Sequence, residues 1–193
     1  IDNSEEQIEL FQKLGIEIIL TGHIHLQSIK SYEVDDYRLY DIATASLLAY
    51  PNLYGYLKYC SNSGFEYSTQ RVDVENWAVS NNVKDDNLVN FNRYTQDYFE
   101  NKSYDKYYSI ILEKLNNTES DSFESMASTV AKLNLGYFRG LRNEELLNTV
   151  SSTDYNMLMN SLPGWVKSYI LSMSEHEFSN NNKYLSAWKS DAT

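Results

Sequence analysis

The spacing of apolar and polar positions changes period part-way along the chain. In residues 4–14, Ile8, Phe11 and Leu14 fall near one helical face. Ser4 can cap this helix, Glu5 and Glu6 suit its positive end, and Gly15 can close it. Residues 16–20 are a β-branched apolar run, which predicts a buried strand. Further strands are predicted at 26–32, 37–43, 54–61 and 65–72, with Asp35 and Asp36 in a solvated turn. Asn62, Ser63 and Gly64 mark the hairpin turn between the last two.

Beyond Val72 the spacing becomes helical. Leu88, Phe91, Thr95 and Tyr98 form one stripe, and Tyr104, Tyr108, Ile111 and Leu115 a second. Phe123, Met126, Val130, Leu133 and Tyr137 form a third, with Asp121 and Glu124 as a capping pair ahead of it. Shorter helices are predicted at 142–150, 153–160, 164–175 and 183–190, and Pro163 favours the first turn of the one carrying Trp165. The fold class is therefore α+β: a helix and a run of strands over residues 1–75, a polar connector over 73–86, and an all-helical unit over 85–193.

Composition narrows the chemistry. With 27 Asp and Glu against 16 Lys and Arg, the net charge of −11 argues against a nucleic-acid polymer or an anionic lipid surface as partner. An acidic chain can still take a phosphate ligand through a metal cation. The single cysteine, Cys60, excludes an internal disulfide and a cysteine zinc site, and its place in a strand predicts a buried, inert thiol. No apolar stretch is long enough to span a membrane. The chain opens on Ile1 rather than methionine, which predicts a piece of a longer protein. The 17 tyrosines suit half-wet helical surfaces. Tyr94, Tyr98, Tyr104, Tyr107 and Tyr108 read as packing rather than a stacking platform, and Trp77, Trp165 and Trp188 as packing between helices. Arg139 and Arg142 flank Gly140; they could meet a phosphate, but cations also suit a helix C-terminus.

One cluster carries more specific chemistry. A strand runs into Thr21-Gly22-His23-Ile24-His25 and is followed by another strand. On extended backbone, histidines two apart would point to opposite faces. A turn at Gly22 can instead aim them at two different points. Neutral imidazole is the commonest transition-metal ligand, so the pair could each bind one ion of a two-metal site, with ions about 3.5–4 Å apart. The plain alternative is two polar loop residues. His176 lies in the helical half and reads as a surface or partly packed side chain.

The Thr21-Gly22-His23-Ile24-His25 segment resembles the Gly-His-x-His motif of the calcineurin-like metallophosphoesterases. The run from Asp41 to Pro51 resembles the strand and Tyr-Pro turn that follow the motif in the bacterial phosphodiesterase branch. The helical half is similar to the C-terminal domain of bacterial cyclic-nucleotide phosphodiesterases. That likeness rests on Leu88-Val89-Asn90-Phe91, on the run from Tyr98 to Tyr104, and on Leu133-Asn134-Leu135-Gly136-Tyr137-Phe138-Arg139-Gly140. The resemblance implies that residues 1–75 are the C-terminal strands of a metallophosphoesterase β-sandwich, incomplete here. It further implies that His23 and His25 ligate two divalent ions (manganese, iron or zinc). In the intact enzyme, the resemblance implies, those ions activate water against a phosphodiester, a cyclic nucleotide or a related diester.

The family's other motifs, Asp-x-His, Gly-Asp-x-x-Asp and Gly-Asn-His, are not in this chain. The chain alone is therefore expected to be inactive, and its partner is expected to be an upstream catalytic segment of the same protein. Without that segment the strands should leave an open edge and exposed apolar surface. The helical unit could cap the cleft or join two subunits as a homodimer. The competing class is a non-enzymatic helical interaction module in which the histidines are incidental. Both a cytoplasmic and an extracytoplasmic bacterial location fit the composition.

Overall fold

The computed structural model describes residues 3–115, 121–174 and 178–185. His176 and Trp188 lie outside them, and so does the side chain of Asp121. The described residues form eight helices and two three-stranded sheets, a mixed α+β fold.

Helix α1 (Ser4–Lys13) precedes β1 (Ile18–Thr21), β2 (Ser28–Val34) and β3 (Tyr37–Ala43). The first sheet has the order β1-β3-β2, with β1 parallel and β2 antiparallel to β3. The register pairs Ile18 with Tyr40 and Ile29 with Ile42. As the middle strand, β3 buries Leu39, Tyr40, Ile42 and Ala43. The strand expected to be buried, β1, is instead an edge: Leu20 is 51 % exposed. Burial falls along it, from half-buried Ile18 and Ile19 to exposed Leu20 and Thr21. The cap position of α1 is Asn3 rather than Ser4, in the left-handed region and without a side-chain cap bond.

Strands β4 (Leu53–Cys60) and β5 (Gly64–Arg71) form the predicted hairpin. Gly55 on β4 has a positional reason: a Cβ there would lie 2.7 Å from the Tyr67 ring, so only glycine lets Tyr67 cross the strand. Cys60 ends β4 and is half-buried rather than buried.

The stretch expected to be a connector contains α2 (Val74–Ser80), and α3 (Asp86–Val89) follows. Asp73 caps α2 by accepting from the Asn76 N–H. The first two predicted stripes merge into one 24-residue helix, α4 (Phe91–Lys114). Then come α5 (Asp121–Arg139), α6 (Glu144–Val150), α7 (Thr153–Ser161) and α8 (Gly164–Ser174). Their shared core includes Ile111, Met126, Val130, Leu133, Leu158, Val166, Ile170 and Met173, all fully buried or nearly so. A buried polar chain runs through it: Tyr169 Oη donates to Asn134 Oδ1 (2.8 Å), and Asn134 Nδ2 donates to Ser103 Oγ (2.7 Å). Trp77 and Trp165 do not pack between helices. They are 55 % and 61 % exposed, because the core is filled by smaller aliphatic side chains on the opposite faces.

The helical unit is not all-helical. Residues 183–185, expected to open a helix, are a strand, β6 (Lys183–Leu185), which pairs antiparallel with β5 and completes the second sheet in the order β4-β5-β6. Tyr184 on β6 is fully buried, with its ring 4.5 Å from that of Tyr40. Ile29, Tyr40, Ile42, Tyr67 and Tyr184 form one cluster, so the two sheets share a core.

Candidate functional site

The two histidines sit where β1 ends. The Thr21 hydroxyl donates to Asp41 Oδ1 (3.1 Å), and the Thr44 N–H donates to Thr21 O (2.8 Å), which ties the end of β1 to β3. The chain then turns through residues 23–24 and reverses at His25, whose φ of 60° is left-handed. That reversal sends Leu26 and Gln27 into the interior while His23 and His25 remain exposed.

Gln27 is the anchor of this turn and was not legible as such in the sequence. It is fully buried, and its amide donates to the Asn181 carbonyl (2.7 Å). The Asn181 side chain in turn accepts from the Ile29 N–H (2.8 Å) and donates to the Gly140 carbonyl (3.2 Å). The histidine turn is thus held from below by the segment that leads into β6 and by the end of α5.

Tested against the geometry, the residues present do not by themselves fit a metal pair. Among the described residues no group of three His, Cys, Asp or Glu converges. A bound transition metal takes three or four protein ligands, and this turn offers two imidazoles.

A second polar cluster lies where the hairpin meets α5. A cavity of about 270 Å³ is lined by Arg71 at the end of β5, Arg139 at the end of α5, Asn180 and Asn182, with Pro51, Leu53 and Leu141 as apolar wall. Arg71 Nη1 donates to Asn92 Oδ1 (2.9 Å), and Asn92 donates from both nitrogens to the Glu75 carboxylate (2.9 Å each). Beside Arg139 lies Tyr50, only 3 % exposed. Its hydroxyl has no hydrogen bond of good geometry among the described residues and makes only a looser contact with the Arg139 guanidinium. Burial pushes the Tyr50 phenol above its ordinary value, against the pull of Arg139 and Arg71. Arg142, the other arginine weighed for phosphate, is exposed and does not line this cavity. Positions 50, 71 and 139 share no local motif, so only the fold brings them together.

The comparison with known families falls on the helices. Residues 73–180 match the C-terminal domain of cyclic nucleotide phosphodiesterase. This chain belongs to that family. The matched stretch begins at Asp73, the cap of α2, and ends at Asn180, which bridges to Leu141. It holds α2 to α8 and neither His23 nor His25. No curated relative matches the chain at a significant level. A relation to cyclic nucleotide phosphodiesterases therefore rests on the helical unit.

Proposed function

We propose that the chain is part of a metal-dependent phosphodiesterase acting on cyclic nucleotides or related diesters, of the calcineurin-like type and bacterial in origin. The observation that supports this most is the family match over residues 73–180, joined in one chain to an exposed His-x-His turn at the end of a parallel strand. On this reading His23 and His25 supply two imidazoles to a pair of divalent ions (manganese, iron or zinc). The carboxylates come from an upstream catalytic segment, and the chain alone is inactive. Residues 1–75 are then the closing strands of a β-sandwich that the upstream segment completes. The open edge of β1 and the exposed Leu20 and Ile24 at and beside its end suit such a neighbour.

The test is His23→Ala and His25→Ala in the protein that includes the upstream segment. Each should lower the bound metal and reduce hydrolysis of a 3′,5′-cyclic nucleotide by about a hundredfold or more. Unchanged metal content and turnover would refute the reading. A second reading, a non-enzymatic interaction or homodimerisation module, is favoured by the exposed Trp77, Tyr98 and Trp165 on the helices. It expects neither metal nor activity to depend on the histidines.

A further inference from the structure

The cavity between β5 and the end of α5 is lined by two arginines and by no acidic side chain. Among the described residues, neither Arg71 nor Arg139 is in an ion pair, although the chain carries 27 acidic residues. An arginine has five N–H donors in a planar fork. One of Arg71's is spent on Asn92, and that bond, backed by Glu75, fixes the guanidinium at the cavity wall.

The ordinary account of Arg139 is a cation at a helix C-terminus, neutralising free carbonyls. Here those carbonyls are already satisfied. Gly136 O accepts from Leu141 N–H, Tyr137 O from Gly140 N–H, Phe138 O from Gln27 N–H, and Arg139 O from Asn182 Nδ2. The first two bonds, with Gly140 left-handed at φ 64°, are a Schellman cap. The helix end needs no counter-cation, and its partial negative charge is largely blunted, so the Arg139 side chain is available to an anion.

Tyr50 does not line the cavity, but its nearly buried hydroxyl lies beside Arg139 without a hydrogen bond of good geometry among the described residues. Two carboxylates lie near, Glu100 acting on Tyr50 more weakly than the two arginines and Glu75 reaching Arg71 only through Asn92, but neither lines the cavity. The volume of about 270 Å³ lies just under the roughly 300–1,000 Å³ of drug-sized ligand sites, which suits a small anion or the phosphoryl end of a larger one.

We propose that Arg71 and Arg139 form a binding site for a phosphate-type oxyanion in this cavity. The anion is either inorganic phosphate or the phosphoryl group of a mononucleotide. Two guanidiniums suit a phosphate dianion in charge and in paired N–H donors. The site uses none of the histidine chemistry and stands whether or not the chain belongs to a metal enzyme.

The experiment is a calorimetric titration of the 193-residue chain with inorganic phosphate at fixed ionic strength, with acetate and chloride as comparators and 5′-AMP as second probe. Phosphate should bind saturably at one site and acetate should not compete. Tighter binding of 5′-AMP identifies a nucleotide phosphoryl group as the source, and equal binding identifies free phosphate. Arg71→Gln and Arg139→Gln should each weaken binding about tenfold or more, and Arg142→Gln should leave it unchanged. On the unaltered protein, phosphate should protect Arg71 and Arg139, but not Arg142, from phenylglyoxal modification, a readout that no folding defect can imitate. Non-saturable binding, binding that survives both Gln substitutions, acetate competing equally, or equal modification with and without phosphate would each overturn the proposal.

Discussion

Gly140 combines two demands in one residue. Its φ is 64°, and a Cβ there would stand 2.6 Å from the Gln27 carbonyl oxygen and 3.0 Å from the Asn181 Cβ. Gly15 has the same backbone sign, φ 67°, but open space around it. Left-handed strain alone costs about 1–2 kcal/mol, and forced overpacking about 1–3 kcal/mol more. Gly140→Ala should therefore destabilise by about 3 kcal/mol or more and Gly15→Ala by about 1 kcal/mol, read as shifts in the urea midpoint. The buried phenols carry a second prediction. Burial raises Tyr169, Tyr107, Tyr67 and Tyr50 above their ordinary pKa, and for Tyr169 the stacked Tyr107 adds to it. Unfolded phenols ionise near 10. Above that pH the folded chain holds more protons than the unfolded one, so the contribution is full below about pH 10 and lost as pH rises further. Urea midpoints measured across that range should fall only on the alkaline side, with the buried phenols ionising as the chain unfolds. At this scale the His23 and His25 motif was legible in the sequence because it is local. Gln27, Tyr50 and Arg71 were not, because each acquires its role from a partner distant in sequence.

At the scale of elements, β6 shows where pattern reading ends. Tyr184 and Trp188 lie four apart, which suits a helix, and three residues are too few for an alternation to declare itself. What makes residues 183–185 a strand is the β5 edge beside them and the grip of Asn181 on Ile29 and Gly140. The other strands were legible from β-branched and aromatic runs bounded by turn residues, and the long helices from apolar stripes that repeat over two or more turns. Asn181→Ala would leave the buried Ile29 N–H without its acceptor, at a cost of about 2 kcal/mol. Hydrogen exchange should then quicken at Glu66, Tyr67 and Ser68, opposite β6, while the α5 and α8 core keeps its protection. Equal loss everywhere would show that Asn181 supports the whole fold and not this strand.

At the scale of the molecule, large apolar side chains are exposed on β1 and in segments near it in the chain, as others are on β4 and on the helices. Leu14, Leu20, Ile24 and Leu48 are 64, 51, 58 and 97 % exposed. The chain by itself should self-associate, and charge at these positions should relieve this: Ile24→Lys with Leu48→Lys is expected to shift sedimentation toward a single monomeric species. The second sheet has a different consequence for the whole chain. Its middle and last strands, joined also through Thr69 and Asn182, enclose the entire helical segment, a separation of 113 residues. Closing so long a loop from a disordered chain is slow, since many conformations must be searched before the ends meet. Once the helices have folded, the same ends are near neighbours and the search vanishes. The helical segment is thus expected to form early during folding and to deliver the final strand to a sheet that waits for it.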